Sequence, residues 1–284
     1  MKANGPSITA QRVAIRRAAH QIMDDPKVLD DPVALRIIGK ETNTALQADP
    51  RQFENTPLSS YLRAFVAARS RYAEDELVLG IQRGVCQYVI LGAGLDTFAY
   101  RNPHPKGSLR VFEIDHPATQ TWKQARLDEV DIAFPDNLTF TPVDFETQTL
   151  EEGLRIVGYD PGKCTFFSWL GVTEYLTTNV VMSTLRFIAS APSGSAVVFD
   201  YMLSPSLLTP AQRGRFDAFA QRVASAGEPL QTFFDPELLT RDLRAMGFGY
   251  IKDNGPEDIN TRYFKDRKDG LQVGSLSHIM KAQV

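Results

Sequence analysis

The sequence predicts an α/β protein in which a mostly parallel sheet carries helices on both faces. From Tyr88 onward, short apolar runs rich in strand formers alternate with segments of helical periodicity, and this alternation is typical of a parallel sheet. The predicted strands are 88–92, 110–114, 138–143, 164–169 and 195–201, and the helices between them are 96–101, 118–132, 148–156 and 177–190. Residues 1 to about 85 show helical patterns without strands, which indicates a helical cap before the sheet.

The cap, residues 1–85, contains three helical patterns, at 9–23, 33–38 and 59–80. In the third, apolar residues and Arg69 recur at helical spacing. Helices that precede the first central strand of such a sheet commonly lie over its C-terminal edge. We therefore expect the cap to form a lid over a ligand site.

The remaining chain, 86–284, is predicted to form the sheet domain. After the fifth strand the alternation is interrupted at about 203–236, which we interpret as an insertion on the ligand side of the sheet. The runs 248–253 and 277–282 are expected to supply the last two strands as a hairpin-like pair.

Composition narrows the function classes. The 284 residues are 43% hydrophobic and contain 31 basic and 34 acidic residues, so no charge excess favours a nucleic acid or a membrane as partner. The first residues lack an apolar signal run, and we expect a cytoplasmic protein. The two cysteines and four histidines show no metal-ligand spacing, so no metal is predicted. Oligomeric state cannot be derived from these features.

A glycine pair follows the first predicted strand, in Val-Ile-Leu-Gly-Ala-Gly. Gly92 and Gly94 leave bare backbone at the C-terminal edge, where open α/β sheets bind their ligands. A plain strand-to-helix turn would also favour glycine. A dinucleotide fingerprint requires a third glycine where this chain has Thr97, so a ligand without a pyrophosphate, such as S-adenosylmethionine, is favoured.

Acidic residues end the next two strands. Asp115 lies 23 residues after Gly92, close to the interval at which a carboxylate meets a ribose diol. The alternative for Asp115 is a helix cap before Pro117. After the third strand, Asp144 could accept a hydrogen bond from an adenine amine while Phe145 covers the ring.

These motifs together resemble the leucine carboxyl methyltransferase-like family, especially its bacterial members of undetermined substrate. The resemblance is strong from about Arg69 to Thr178 and includes Leu-Gly-Ala-Gly-Leu-Asp-Thr and Trp-Leu-Gly-Val-Thr-Glu-Tyr-Leu. It implies a Rossmann-like class I methyltransferase sheet that binds S-adenosyl-L-methionine. The family's cofactor contacts then fall on Gly92 with Gly94, Asp115, Asp144, Phe145, and either Arg69 or Arg71.

The chain departs from the family at one position. Leu170 stands where the family has a glutamate, and Glu174 is nearby but out of register. Trp169, at the end of the fourth strand, is either cover for the cofactor or ordinary core.

Further candidates follow the last parallel strands. Tyr175 matches a family tyrosine and is expected to line a substrate pocket. Asp200 and Tyr201 close the fifth strand and are candidates for substrate contacts, because strand C-termini line the cleft. We interpret His116 as a helix cap rather than a base, and no catalytic group is assigned.

Three functions are compatible with these features. The first is transfer of a methyl group from S-adenosyl-L-methionine to an oxygen of a small molecule. A carboxylate is favoured over a hydroxyl because no general base is recognisable. The second is a nicotinamide-dependent oxidoreductase, against which Thr97 stands. The third is an inactive cofactor-binding scaffold, which Leu170 would favour. The acceptor cannot be read from the sequence.

Overall fold

The computed structural model describes residues 7–54, 56, 58–225 and 227–284. Residues 1–6, 55 and 57 of the predicted cap and residue 226 of the predicted insertion lie outside the described residues. A seven-stranded sheet has the order β3-β2-β1-β4-β5-β7-β6. Its strands are β1 (Gln87–Leu91), β2 (Arg110–Asp115), β3 (Leu138–Pro142), β4 (Thr165–Trp169), β5 (Ala196–Met202), β6 (Tyr250–Asn254) and β7 (Ser277–Gln283). Each of the five predicted parallel strands is found.

Strands β1 to β5 run parallel to one another. Strand β7 lies between β5 and β6 and is antiparallel to both. The α-helices are α1 (Ile8–Met23), α2 (Ala34–Ile37), α3 (Lys40–Ala48), α4 (Ser59–Gln82), α5 (Pro117–Glu129), α6 (Leu150–Arg155), α7 (Thr178–Ala189), α8 (Pro210–Ser225), α9 (Pro236–Met246) and α10 (Pro256–Tyr263). The predicted fold class is confirmed.

Alternation along the strands divides the core between the two faces of the sheet. Tyr88 and Ile90 of β1 pack in one apolar cluster with residues of α4, while Val89 and Leu91 pack in a second cluster with residues of α7 and α9. Successive side chains of a strand point to opposite faces, so a central parallel strand must be apolar on both. All five residues of β1 are buried accordingly.

Two connections differ from the predictions. The segment 92–109 contains one short 3-10 turn, Phe98–Arg101, where we expected a helix over 96–101. Pro103 and Pro105 follow it, and proline cannot continue a helical hydrogen-bond ladder. Strands β6 and β7 are antiparallel as expected, but α10 separates them, so they do not form a hairpin. Helices α3 and α10 were not predicted.

The sequence division into a cap and a sheet domain with an insertion stays a prediction. The structure adds that α1 packs on α4, and that α8 lies in the predicted insertion between β5 and β7. Across the described ranges, no helix combines the length and apolar character that crossing a bilayer requires.

Candidate functional site

Two adjoining cavities lie at the carboxyl ends of the parallel strands. We name the first, of about 370 Å³, the sheet cavity; Gly92, Gly94, Asp115, Asp144, Phe145 and Leu170 are among its lining residues. The second, of about 500 Å³, is lined mainly by α1, α4, α8 and the segment before β7, and we name it the helix cavity. The residues common to both are Thr9, Val13, Arg69, Gly171 and Tyr175.

The loop after β1 forms one wall of the sheet cavity. Gly92 and Gly94 have φ angles of 64° and 47°, in the left-handed region that favours glycine. A Cβ on Gly92 would lie 2.3 Å from a methyl group of Val172. At Gly94 the added atom would lie 3.0 Å from the Cβ of Ala10 in α1. Both glycines are therefore required by the turn and by close packing, and their backbone is exposed to the cavity.

Asp115 lies at the end of β2 and is mostly buried at the edge of the sheet cavity. One of its carboxylate oxygens accepts from the N–H of Gly94 at 2.5 Å, and the other accepts from the N–H of His116 at 2.7 Å. Burial raises the pKa of this carboxyl, and the two backbone donors oppose that effect. His116 caps α5 by accepting from the N–H of Ala118, as predicted.

The segment after β3 places Asp144 and Phe145 at the same cavity. Asp144 accepts from the N–H of Glu146 at 3.0 Å, which fixes the turn and leaves its outer oxygen toward solvent or a ligand. The ring of Phe145 lies 6.4 Å from that of Trp169.

Trp169 does not line the sheet cavity. It is fully buried in the apolar core, and its indole N–H has no partner among the described residues. The prediction of a cofactor contact is therefore corrected. Because of its position in β4, the side chain of Trp169 points into the core, where it supports the ring of Phe145.

The two candidate arginines of α4 are separated by the structure. Arg69 is 6% exposed, lines both cavities and forms an ion pair of 2.7 Å with Asp200. Arg71 lies two residues further, about 200° around the helix. Its half-exposed side chain pairs with Asp75 outside both cavities. The assignment of Arg71 to the cofactor is thus corrected, and Arg69 remains the candidate.

Asp200 and Tyr201, near the end of β5, point in opposite directions. Asp200 lines the helix cavity, where it accepts from Arg69 and, at 2.6 Å, from the N–H of Gly171. Tyr201 is buried on the other face and donates to Asp253 at 3.0 Å. The prediction of Tyr201 as a substrate contact is corrected, since strand alternation excludes it from the cavities.

The turn after β4 supplies several lining residues, among them Leu170, Glu174 and Tyr175. Tyr175 lines both cavities, and burial raises the pKa of its hydroxyl. Glu174 lines the helix cavity; burial, together with the nearby Asp200, raises the pKa of its carboxyl to about 7. Leu170 lines the sheet cavity. The acid of this turn therefore faces the helix cavity rather than the sheet cavity.

Glu228 and Arg16 are two of the lining residues that were not predicted. Glu228, buried at the sheet cavity, accepts from the hydroxyl of Ser7 at 2.9 Å, from the N–H of Thr9 at 3.0 Å and from the Thr9 hydroxyl. Arg16, on α1, lines the helix cavity. No local pattern marks Glu228, because its partners are more than 200 residues away in the chain. Arg16 shares a helical face with Thr9 and Arg12, and this spacing is the only feature of the sequence that could have indicated its place at the cavity.

Within the described part of the chain, no group of three or more His, Cys, Asp or Glu side chains is suited to a metal ion. The lining groups described above are carboxylates, arginines, aromatic rings and backbone groups.

Comparison with known proteins places the chain in a family. The sequence model of the leucine carboxyl methyltransferase family matches residues 10–189. YktD of Bacillus subtilis, provisionally named an S-adenosyl-L-methionine-dependent methyltransferase, is 33% identical over 99% of each chain. A Mycolicibacterium smegmatis protein with a provisional name of the same kind is 30% identical over 85% of this chain and 82% of its own.

Solved structures share the fold. A methyltransferase structure from Thermobifida fusca, also provisionally named, superposes with a TM-score of 0.58 at 17% identity and covers 99% of this chain and 96% of its own. A Streptomyces avermitilis protein gives a TM-score of 0.55 at 12% identity over 98% and 97% of the two chains. The resemblance drawn from the sequence motifs is confirmed by the family match. The chain belongs to the leucine carboxyl methyltransferase family of S-adenosyl-L-methionine-dependent methyltransferases.

Proposed function

We propose that this protein transfers the methyl group of S-adenosyl-L-methionine to a carboxylate oxygen of a small-molecule acid. The observation that carries the proposal is the pairing of two cavities of different chemistry that share Arg69, Gly171 and Tyr175. The sheet cavity has the groups that a nucleoside with an amino-acid tail requires. The helix cavity is lined by more arginines than acids and is the candidate site of the acceptor.

The residues of the sheet cavity fit the cofactor. In the proposed arrangement, Asp115 accepts from the ribose hydroxyls, Asp144 from the adenine amine, and Phe145 covers the adenine ring. Arg69 retains guanidinium donors beyond the one used by Asp200, and these can bind the methionine carboxylate. When bound, S-adenosyl-L-methionine supplies a methyl group that its sulfonium already makes electrophilic. The protein then contributes chiefly by placing the acceptor in line and excluding water.

The charge of the helix cavity supports an anionic acceptor. The arginines that line it are Arg12, Arg16, Arg69, Arg215 and Arg222, and the acids are Glu54, Glu174 and Asp200. Asp200 is already paired with Arg69, and Glu54 with Arg63. The surplus of guanidinium groups favours a carboxylate, which also needs no deprotonation before it accepts a methyl group.

Methylation of a hydroxyl is the second candidate, and Glu174 is the observation in its favour. A carboxyl with a pKa of about 7 that lines the acceptor cavity has the properties of a general base at neutral pH. In that case the proton of the acceptor hydroxyl would move to Glu174.

Two measurements test the proposal. Calorimetry should show binding of S-adenosyl-L-methionine and its demethylated product, and no binding of NADH; the opposite pattern would refute the cofactor assignment. For the acceptor, the protein is incubated with methyl-labelled cofactor and a library of organic acids and alcohols. A carboxylate acceptor yields a methyl ester that releases labelled methanol in mild alkali. An alkali-stable labelled product would contradict carboxyl methylation and favour the hydroxyl candidate.

A further inference from the structure

Helix α1 separates the two cavities. At about 100° per residue, Ala10 and Arg17 project on one side of the helix, and Arg12 and Arg16 project on another. The first pair lines the sheet cavity and the second lines the helix cavity, while Thr9 and Val13, which lie between them, line both. In this projection Arg16 lies only about 20° from Thr9. Its side chain therefore belongs to the acceptor side, close to the boundary with the cofactor side.

Arg16 is a cation without a counter-ion in the described structure. Among the described residues, its buried Nε has no hydrogen-bond partner, and the one hydrogen bond of its side chain runs from Nη1 to the carbonyl of Arg12 at 3.3 Å. No carboxylate of the described residues pairs with it, and none of the remaining residues is acidic. By contrast, Arg17, one position along, is held by Asp31 at 2.9 Å.

The surroundings of Arg16 increase its electrostatic cost. Burial, together with repulsion by Arg12, Arg222 and Arg69, lowers the pKa of its guanidinium to about 10. A buried donor without an acceptor is rare, because it loses its hydrogen bond to water and gains none in the protein. The same group becomes favourable when an anion enters, since charge-assisted hydrogen bonds are about twice as strong as neutral ones.

Helices α4 and α8 also contribute apolar side chains to the helix cavity. Leu62, Phe65 and Val66 of α4 line one side, and Phe219 and Val223 of α8 line another. A ligand that satisfies the cavity therefore needs an apolar body as well as an anionic group.

From this arrangement we infer that Arg16 is the specificity-determining residue for the acceptor, which is an apolar carboxylic acid whose reacting carboxylate is bound by the Arg16 guanidinium. The inference rests on the proposed transfer to a carboxylate. A guanidinium that binds a carboxylate uses only some of the oxygen lone pairs, so one lone pair stays free to form the bond to the methyl group. The oxygen–methyl bond forms as the sulfur–methyl bond breaks, and that electron pair returns to sulfur.

The charge balance also accounts for product release. The acceptor enters as an anion and leaves as a neutral ester, and the sulfonium becomes a neutral thioether. The charge-assisted bonds to Arg16 are therefore weakened by the reaction itself. Arg16 should discriminate the acid from any neutral analogue of the same shape.

The test compares octanoate with octanamide, a neutral analogue of nearly the same shape. Each is titrated by calorimetry into the full-length protein saturated with S-adenosylhomocysteine, and again into the cofactor-free protein. We expect octanoate to bind about 10- to 100-fold more tightly than octanamide, the ratio that hydrogen bonds to a charged group provide. In Arg16→Gln this preference should disappear. Arg213→Gln is the matched control, because Arg213 is half-exposed, pairs with Asp217 and lies outside both cavities.

Thermal melting of the same variants separates a binding role from a structural one. Removing an uncompensated cation should leave the melting temperature of Arg16→Gln equal to or above that of the parent. The inference is overturned if the parent binds octanoate and octanamide equally or binds neither, or if the preference survives in Arg16→Gln. It is also overturned if Arg16→Gln loses the preference but melts at a lower temperature than the parent, because the role of Arg16 would then be structural. Failure of S-adenosylhomocysteine to bind would refute the proposed function, while the cofactor-free titrations would still decide the role of Arg16.

Discussion

At the scale of single residues, Asp115 joins two parts of the candidate site. Its carboxylate holds the Gly94 loop through one oxygen and the start of α5 through the other. Each oxygen still has a lone pair that can accept from a ligand hydroxyl. The two readings of Asp115, as a ribose contact and as a local structural acceptor, are therefore compatible.

We expect Asp115→Ala to lower cofactor affinity by ~2–3 kcal/mol, because hydrogen bonds to a charged acceptor contribute about 1.5–3 kcal/mol each before water compensates. Thermal stability should fall in parallel, since two backbone donors lose their acceptor. Titration with S-adenosylhomocysteine and thermal melting check the two effects on one protein. Asp128→Ala, at an exposed position of α5, is the control. Unchanged affinity in the folded variant would leave Asp115 with only the structural role.

Leu170 tests the departure from the family at the sheet cavity. If the family glutamate binds the ammonium group of the cofactor's methionine tail, Leu170→Glu should restore a charged acceptor. Cofactor binding should then tighten by ~1 kcal/mol, about fivefold, while the neutral Leu170→Gln should gain less. Titration of both variants beside the parent measures this. A well-folded Leu170→Glu that binds no tighter would show that other groups already hold the ammonium.

Glu174 gives the stability a pH dependence whose sign can be derived. Burial and Asp200 raise the pKa of its carboxyl from 4.5 to about 7 in the folded protein. Between these values the folded state binds a proton that the unfolded state lacks, so the stabilisation present below pH 4.5 is lost as the pH rises through about 7. Glu174→Gln should therefore be more stable than the parent by ~1–3 kcal/mol at pH 8 and nearly equal to it at pH 4.5.

Urea denaturation of both proteins at the two pH values checks this prediction. Groups distant from position 174 cancel in the difference, which therefore reports on Glu174 together with the neighbouring Asp200. A stability difference that does not change with pH would contradict a raised pKa at Glu174 and would remove the argument for a general base.

At the scale of elements, α1 depends on a single distant carboxylate. Glu228 accepts from Ser7 and Thr9 at the start of this helix, and both it and the helix line the sheet cavity. The N-terminal N–H groups of a helix have no intrahelical partner and require such acceptors. Helix α1, which forms the wall between the two cavities, is therefore held in place by a residue of the segment that follows α8.

Glu228→Ala should loosen the first turns of α1 and weaken cofactor binding by ~1–3 kcal/mol, the cost of leaving buried donors unpaired. Hydrogen exchange should accelerate in α1 while the strands β1 to β5 keep their protection. Glu237→Ala, an exposed acid in the first turn of α9, serves as control. Unchanged exchange in α1 would show that packing on α4 alone holds the helix.

At the scale of the whole molecule, the C-terminal strand completes the sheet. Strand β7 lies between β5 and β6, and its residues Ile279, Met280 and Ala282 are fully buried. It pairs with β5 over seven residues and with β6 over five. The last part of the chain is thus built into the interior of the fold.

A chain that ends after Leu276 should fail to fold into soluble protein. Loss of β7 would leave β5 with an unpaired edge and β6 without a neighbour. Proteins with exposed apolar strand edges aggregate. A chain that ends after Gln283 retains β7 and should remain soluble. Soluble yield and circular dichroism compare the two. A folded, monomeric product of the shorter chain would contradict this account of the sheet.

The parallel strands and the residues at their ends could be derived from the sequence alone. Gly92, Asp115, Asp144 and Phe145 each follow an apolar strand directly, and parallel strands bring their carboxyl ends to one edge. Whether a segment forms a strand, and where that strand ends, are local properties that depend on residues adjacent in the chain. The family motifs lie in the same positions.

Tertiary structure decided which side chains face the site. The orientation of α4 about its axis directs Arg69, and not Arg71, to the cavities. The alternation of side chains along β4 and β5 directs Trp169 and Tyr201 into the core. Tertiary structure also brought Glu228 to α1 and left Arg16 without a counter-ion among the described residues. Periodicity establishes that a helix or strand has two faces. Which face meets a cavity depends on packing between segments far apart in the chain, and the local sequence does not record that packing.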